Sequence, residues 1–243
     1  MEHPKVGNVS ATVDHKTIVL WTEDWLKWAL HSPASTPPLT SPDNAEVNNN
    51  GSIFFLAGGN WGNNGSIPTI HVPVGKPVLL PMVNAWDIEG PGIETIPGFV
   101  ASGRGSFADE AKLVTDLAQN AISDAHLTVT SVGDSKVLID TFSLDTGTFT
   151  LGAPHTNPPD VIGQGLIDAG VNLSPLDALP FTEEVGRWAM IDGLAPGDYK
   201  VNFGGTIAPV KDPVTGTPIF GDFSDPTNPK PVIVNTTDIL HVA

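Results

Sequence analysis

Between Ser52 and Glu89 the chain sets three short apolar runs, SIFFLA, IPTIHVPV and PVLLPMV, around a turn built from Gly and Asn. The segment then leaves through an acidic exit, Asp87-Ile88-Glu89. Apolar runs of four to eight residues bounded by Gly, Asn and Pro specify strands, because they are too short for an amphipathic helix and are rich in β-branched and aromatic side chains. The rest of the chain supports the same reading. With 25 Gly and 23 Pro and only 16% charged residues, polarity is carried by turn-forming residues, which favours many short strands over helices. A hydrophobic share of 40% over 243 residues is enough for one sizeable core. The predicted fold is mainly all-β: a single jelly-roll-like β-sandwich over residues 1–243, with two or three short helices and long loops.

Element by element, residues 9–20 read as a strand. A helix capped by Thr22 follows to Leu30, with Trp21, Trp25 and Trp28 on one face at i, i+4 and i+7. Residues 32–50 form a long loop, 52–57, 67–74 and 77–83 are strands, and 84–105 is a second loop. Ser106 and Asp109 have the spacing of a capping box, opening a helix that places Phe107, Leu113, Val114, Leu117, Ala118 and Ala121 largely on one side. Residues 126–132, 136–142 and 148–151 suggest a β-meander, and 152–180 a loop-rich stretch. Strands at 188–191, 199–203 and 231–242 complete the chain, the second entered through Leu194-Ala195-Pro196-Gly197-Asp198-Tyr199.

Charge excludes some partners. Eleven Lys and Arg against 27 Asp and Glu give a net charge of −16, which repels nucleic acid and anionic membrane surfaces. No cysteine is present, so disulfides, thiolate nucleophiles and thiolate metal ligands are ruled out. No run approaches the ~18 apolar residues of a membrane span, and residues 1–20 lack the basic and apolar stretches of a signal peptide.

Four segments occur in a fixed order: Trp25-Leu26-Lys27-Trp28-Ala29-Leu30, Phe54-Phe55-Leu56-Ala57-Gly58, Val72-Pro73-Val74-Gly75-Lys76-Pro77 and Leu80-Pro81-Met82-Val83-Asn84. With the later Leu194–Gly205 segment, the series resembles an uncharacterised family of secreted bacterial proteins. That family has a Trp-rich helix, a "WFLAG"-like strand and a "VPAGKxxFFPxxN"-like hairpin. The resemblance implies a fold and a secreted or cell-surface address, and no reaction. A cysteine pair common in the family is missing here.

Three groups of residues are candidates for chemistry. Asp87, Glu89 and Glu94, with Asn84 nearby, supply the carboxylate and amide oxygens that Ca²⁺ takes in sets of six to eight. Asp212, Asp222, Asp225 and Asn228 form a second oxygen-rich stretch. Trp61 and Trp86 lie in or beside polar, Gly- and Asn-rich segments. With Asn84 they could form a sugar platform, the rings stacking on C–H patches and the amide bonding hydroxyls. Glu183 and Glu184 are adjacent, so on a strand they point to opposite faces and cannot flank one glycosidic bond. Glu89 or Glu94 is the first candidate for an acid–base role, and no catalytic residue is assigned. The seven histidines form no local metal motif. His71 sits opposite Ile70 and Val72 on its strand and reads as a surface residue.

The leading expectation is an extracellular binding or matrix module, stabilised by calcium, with a neutral glycan or protein ligand. Two alternatives remain open: a carboxylate-dependent polysaccharide hydrolase or lyase, and a structural surface protein that assembles through exposed strands.

Overall fold

In the computed structural model, the described residues are 5–6, 12–58, 67–90, 106–131, 137–168, 170, 179, 181–214, 216, 218–221 and 227–243. The elements in chain order are β1 (Lys5–Val6), β2 (Thr12–Val13), β3 (Lys16–Thr17), α1 (Ile18–His31), β4 (Phe54–Phe55), β5 (Thr69–Val72) and β6 (Val78–Glu89). They continue with α2 (Phe107–Ala121), β7 (Ile122–Ser131), β8 (Leu138–Asp145), α3 (Val161–Asp168), β9 (Phe181–Asp192), β10 (Gly197–Ile207), β11 (Val210–Lys211), β12 (Pro218–Phe220) and β13 (Val232–Val242). Among the described residues the chain is mainly strand with three short α-helices. One sheet runs β1-β8-β9-β6-β4 and the other β5-β13-β10-β7.

The two sheets face each other across a shared core. Val78, Leu80 and Met82 of β6 and Ala189 and Ile191 of β9 meet Tyr199, Val201 and Phe203 of β10 and Leu240 and Val242 of β13. The opposite face of the first sheet, with Leu79, Trp188, Met190 and Phe142, is covered by α1. Strand β6 is therefore buried on both sides, which is why its sequence is a continuous apolar run instead of an alternation. A register shift between Pro81 and Val83 places Val83 on the same side as Met82, as a bulge does. Val83 and Ala85 then join Ala118 of α2, Ile122 and Ile207. At that point the sheets come close: a Cβ on Gly205 would lie 2.7 Å from Val83 Cγ1, so only glycine fits.

Several sequence expectations change. The predicted strand over 9–20 is a tight β2–β3 hairpin followed at once by helix. Asp14 and His15 both take positive φ, 48° and 62°, the geometry of a two-residue hairpin turn. Helix α1 thus begins at Ile18, capped by Thr17, whose side chain accepts from Leu20 N, and not at Thr22. Its tryptophans pack inward as the spacing predicts. Each indole N–H also donates to a backbone carbonyl: Trp21 to Val13 at 2.9 Å, Trp25 to Leu56 at 3.0 Å, Trp28 to Val47 at 2.8 Å. The segment 32–50 is tied down by buried Asn49, which donates to Ala45 O and Phe55 O and accepts from Phe55 N. The predicted loop does not begin at 84, because β6 continues to Glu89, and residues 91–105 lie outside the described residues. The predicted meander does not form: β7 pairs with β10 in one sheet and β8 with β9 in the other. Residues 152–180 contain α3.

Helix α2 has the predicted capping box, with Ser106 and Asp109 bonded reciprocally. Its buried face matches the predicted one only at Ala118 and Ala121. Glu110, Ala111, Thr115 and Ala118 face the protein, and Leu113 and Leu117 lie half-buried on the flanks. Small residues at 111, 115 and 118 let the helix axis approach β6 and β9 closely, and hydrophobicity alone points to the bulkier flank. Ala118→Leu should therefore cost about 1–3 kcal/mol by overpacking, measurable by denaturant unfolding. The same experiment on Leu113→Ala should show a smaller loss.

Candidate functional site

A cavity of about 460 Å³ opens along the edge of β6. Strand β4 pairs with β6 only at Val78 and Leu79, so residues beyond this point have no strand neighbour on that side among the described residues. Pro81 to Trp86 form one wall. Trp25 and Leu30 of α1 close another, and Ile162 and Gly165 of α3 a third. Val232 and Val234 reach in from the facing sheet. The lining is almost wholly apolar, with Asn84 and Thr40 as the polar side chains.

Asn84 is held from behind. Its Nδ2 donates to Glu184 Oε1 at 2.5 Å, across the β6–β9 register in which Trp86 opposes Glu184 and Asn84 opposes Gly186. Glu184 is fully buried, and burial pushes its carboxyl well above the usual carboxylate range, against the opposing pull of the Asn84 hydrogen bond. Burial therefore favours its protonated, neutral form. Glu184 Oε2 and the neighbouring Trp188 Nε1 are buried without hydrogen-bond partners. Gly186 makes room for this group: a Cβ there would lie 2.9 Å from Asn84 Cβ and 3.0 Å from Trp188 Nε1.

The opposite face of the same strands carries a second polar cluster. Asp87 pairs in register with Glu183, and both feel the charges or hydrogen bonds of α2. Desolvation raises Asp87 to about 6, aided by the charges of Glu110 and Glu183 and opposed by hydrogen bonds from Glu89 and the Ile88 backbone. Glu183 is also raised by burial, against hydrogen bonds from Thr115 Oγ1 at 2.9 Å and Thr148 Oγ1 at 3.3 Å. A nearby like charge adds to the effect of burial in each case, Glu110 and Glu183 at Asp87 and Asp145 at Glu183.

Of the residues singled out in the sequence, Asn84 and Trp86 come together at the cavity, and Trp61 lies outside the described residues. Asp87 and Glu89 lie on β6 instead of a loop, Glu89 buried and Asp87 partly so. Their strand places them on the face opposite Asn84 and Trp86. Glu94 lies outside the described residues, as do Asp222 and Asp225. Asp212 is buried, and its Oδ1 accepts from Val214 N at 2.7 Å. Among the described residues no three His, Asp or Glu side chains are arranged to hold a metal ion. Glu183 and Glu184 do point to opposite sides of their strand, one toward α2 and one toward Asn84. No family model matches this chain, and no curated protein or solved structure matches it either.

Sequence reasoning passed over Glu110, Glu184 and Trp188 as members of these clusters. Glu184 meets Asn84 from 100 residues away through strand register, Trp188 meets Trp25 through the docking of α1 on the sheet, and Glu110 acts on Asp87 through the docking of α2.

Proposed function

We propose that this protein is a binding module, a jelly-roll-like β-sandwich that takes a small molecule with an apolar body and one polar group into the cavity beside β6. The supporting observation is the cavity itself. Its volume of about 460 Å³ lies within the ~300–1,000 Å³ typical of small-molecule sites, and such sites join apolar walls to a few placed polar groups. Asn84, fixed by Glu184, is the polar group that would orient the ligand. A secreted or cell-surface address, suggested by the resemblance to secreted bacterial proteins, belongs to the same proposal. The sugar platform expected from Asn84 and Trp86 becomes a second arm of the test, since a glycan would find few hydrogen-bonding groups on these walls.

Gly165 supplies a clean test. It lines the cavity, and a Cβ there would meet nothing within 4 Å. Gly165 is exposed at the cavity mouth, so Gly165→Leu should narrow the entrance and should improve the helix, since Gly costs up to about 1 kcal/mol in a helix interior. A neutral apolar dye such as Nile red should bind the native chain with enhanced fluorescence and bind the variant at least about tenfold more weakly, the equivalent of about 1.4 kcal/mol. Equal dye binding by both proteins would overturn the cavity reading. Binding of neutral oligosaccharides, lost in Asn84→Ala and retained in Gly165→Leu, would favour the glycan reading instead.

A further inference from the structure

At one edge of the second sheet, far apart in sequence, His71 of β5 and His241 of β13 are direct neighbours in a parallel register. Their ring centroids are 5.5 Å apart, with the planes at 75°. Each ring is anchored through the same nitrogen. His71 Nδ1 lies 2.8 Å from Glu46 Oε1, and His241 Nδ1 lies 2.7 Å from Asp198 Oδ1. Glu46 Oε1 also accepts the His71 backbone N–H at 2.8 Å. An ionised carboxylate can only accept, so in each neutral ring the proton sits on Nδ1 and the lone pair on Nε2. His71 is exposed and His241 half-buried, and both border a shallow cavity of about 310 Å³ with Glu46, Asn49 and Asn50.

We propose that His71 and His241 form a two-imidazole site for a divalent transition-metal ion of the zinc class, bound through the two Nε2 atoms. The geometry suits it. Two imidazoles on one tetrahedral Zn²⁺ at ~2.1 Å place their centroids ~5.3 Å apart, close to the separation present here. The carboxylate behind each ring is the outer-shell partner that fixes tautomer and orientation in protein zinc sites. Two protein ligands leave two positions open, so the ion is available to water or to an oxygen- or nitrogen-bearing ligand at the cavity mouth. Hard cations such as Ca²⁺ would not choose two imidazoles. The other close pair, His31 and His155, is different in kind. Both His31 nitrogens are already engaged, by Asp160 Oδ2 at 2.7 Å and Leu151 O at 3.2 Å.

Titrating the full chain with ZnCl₂ in a non-chelating buffer at pH 7.5, followed by calorimetry, should give one ion per chain at this site. His71→Ala and His241→Ala should each remove it, and Asp198→Ala should weaken it about tenfold, the low end for an outer-shell partner. Circular dichroism monitors folding of each variant. Imidazole ¹H–¹⁵N spectra of the unaltered chain give a readout independent of any substitution, because Zn²⁺ should move the Nε2 resonances of two histidines together. Zinc affinity unchanged in both histidine variants, no measurable binding, or displacement of resonances other than this pair would overturn the proposal.

Discussion

Replacing Trp25 by Ala should remove about 3–5 kcal/mol of folding stability, the range for large aromatic truncations in a core. The ring is 1% exposed and meets Trp188 edge-on, with centroids 5.3 Å apart. Its loss leaves a void between α1 and the first sheet that neither element can close. It also leaves Leu56 O, held at 3.0 Å by the indole N–H, without that donor. The check is the denaturant midpoint of Trp25→Ala against that of Trp21→Ala, whose ring is 7% exposed and should cost less. A loss below about 1 kcal/mol at Trp25 would show that the helix is not mounted on this sheet.

A change in the opposite direction is expected at Asp238. This residue lies on β13 opposite Val201, within the space between the two sheets. It is 0% exposed, and neither carboxylate oxygen has a hydrogen-bond partner. Desolvation, with a smaller contribution from the charge of Asp43, raises it from 3.8 to about 7. The folded state therefore holds a proton that the unfolded chain releases. The stability associated with that proton is complete below about pH 4, falls as pH rises, and is gone above about pH 7. The difference amounts to about 4 kcal/mol at most. Asp87 and Glu183, also raised by burial, act in the same sense. Thermal melting should thus give a higher midpoint at pH 5 than at pH 8. Asp238→Asn, which cannot ionise, should raise stability by a few kcal/mol at pH 8 and change it little at pH 4. A variant destabilised equally at both pH values would mean that the carboxylate is held ionised by a partner.

The sequence conveyed the parts of this molecule that depend on local rules. The Leu194–Tyr199 entry marked β10, the Ser106–Asp109 spacing marked the start of α2, and the tryptophan stripe marked the inward face of α1. It misled where tertiary packing decides. Helix α2 docks on its small residues because two strands require a close approach, and no propensity scale carries that information. Residues 126–142 look like consecutive hairpin strands, yet they divide between sheets. For the site, Asn84 could be picked out as an amide beside the acidic residues and Trp86 as an indole in a polar segment. Glu184, Asp238 and the His71–His241 pair could not, since each owes its character to a neighbour or a burial that only strand register creates.

The central place of β13 also bears on how the chain must be made. It lies between β5 and β10, pairing Thr69–Val72 with Ile239–Val242, and it is synthesised after every other described element. Until it arrives, β5 has no partner strand among the described residues, and the edge of β10 that pairs with β13 is open. Contacts spanning so much chain are slow to close, and exposed strand edges invite association between nascent chains. Folding on the ribosome would therefore stall at a half-built, sticky intermediate. Production of this protein should depend more on what shields that intermediate than on the stability of the finished fold.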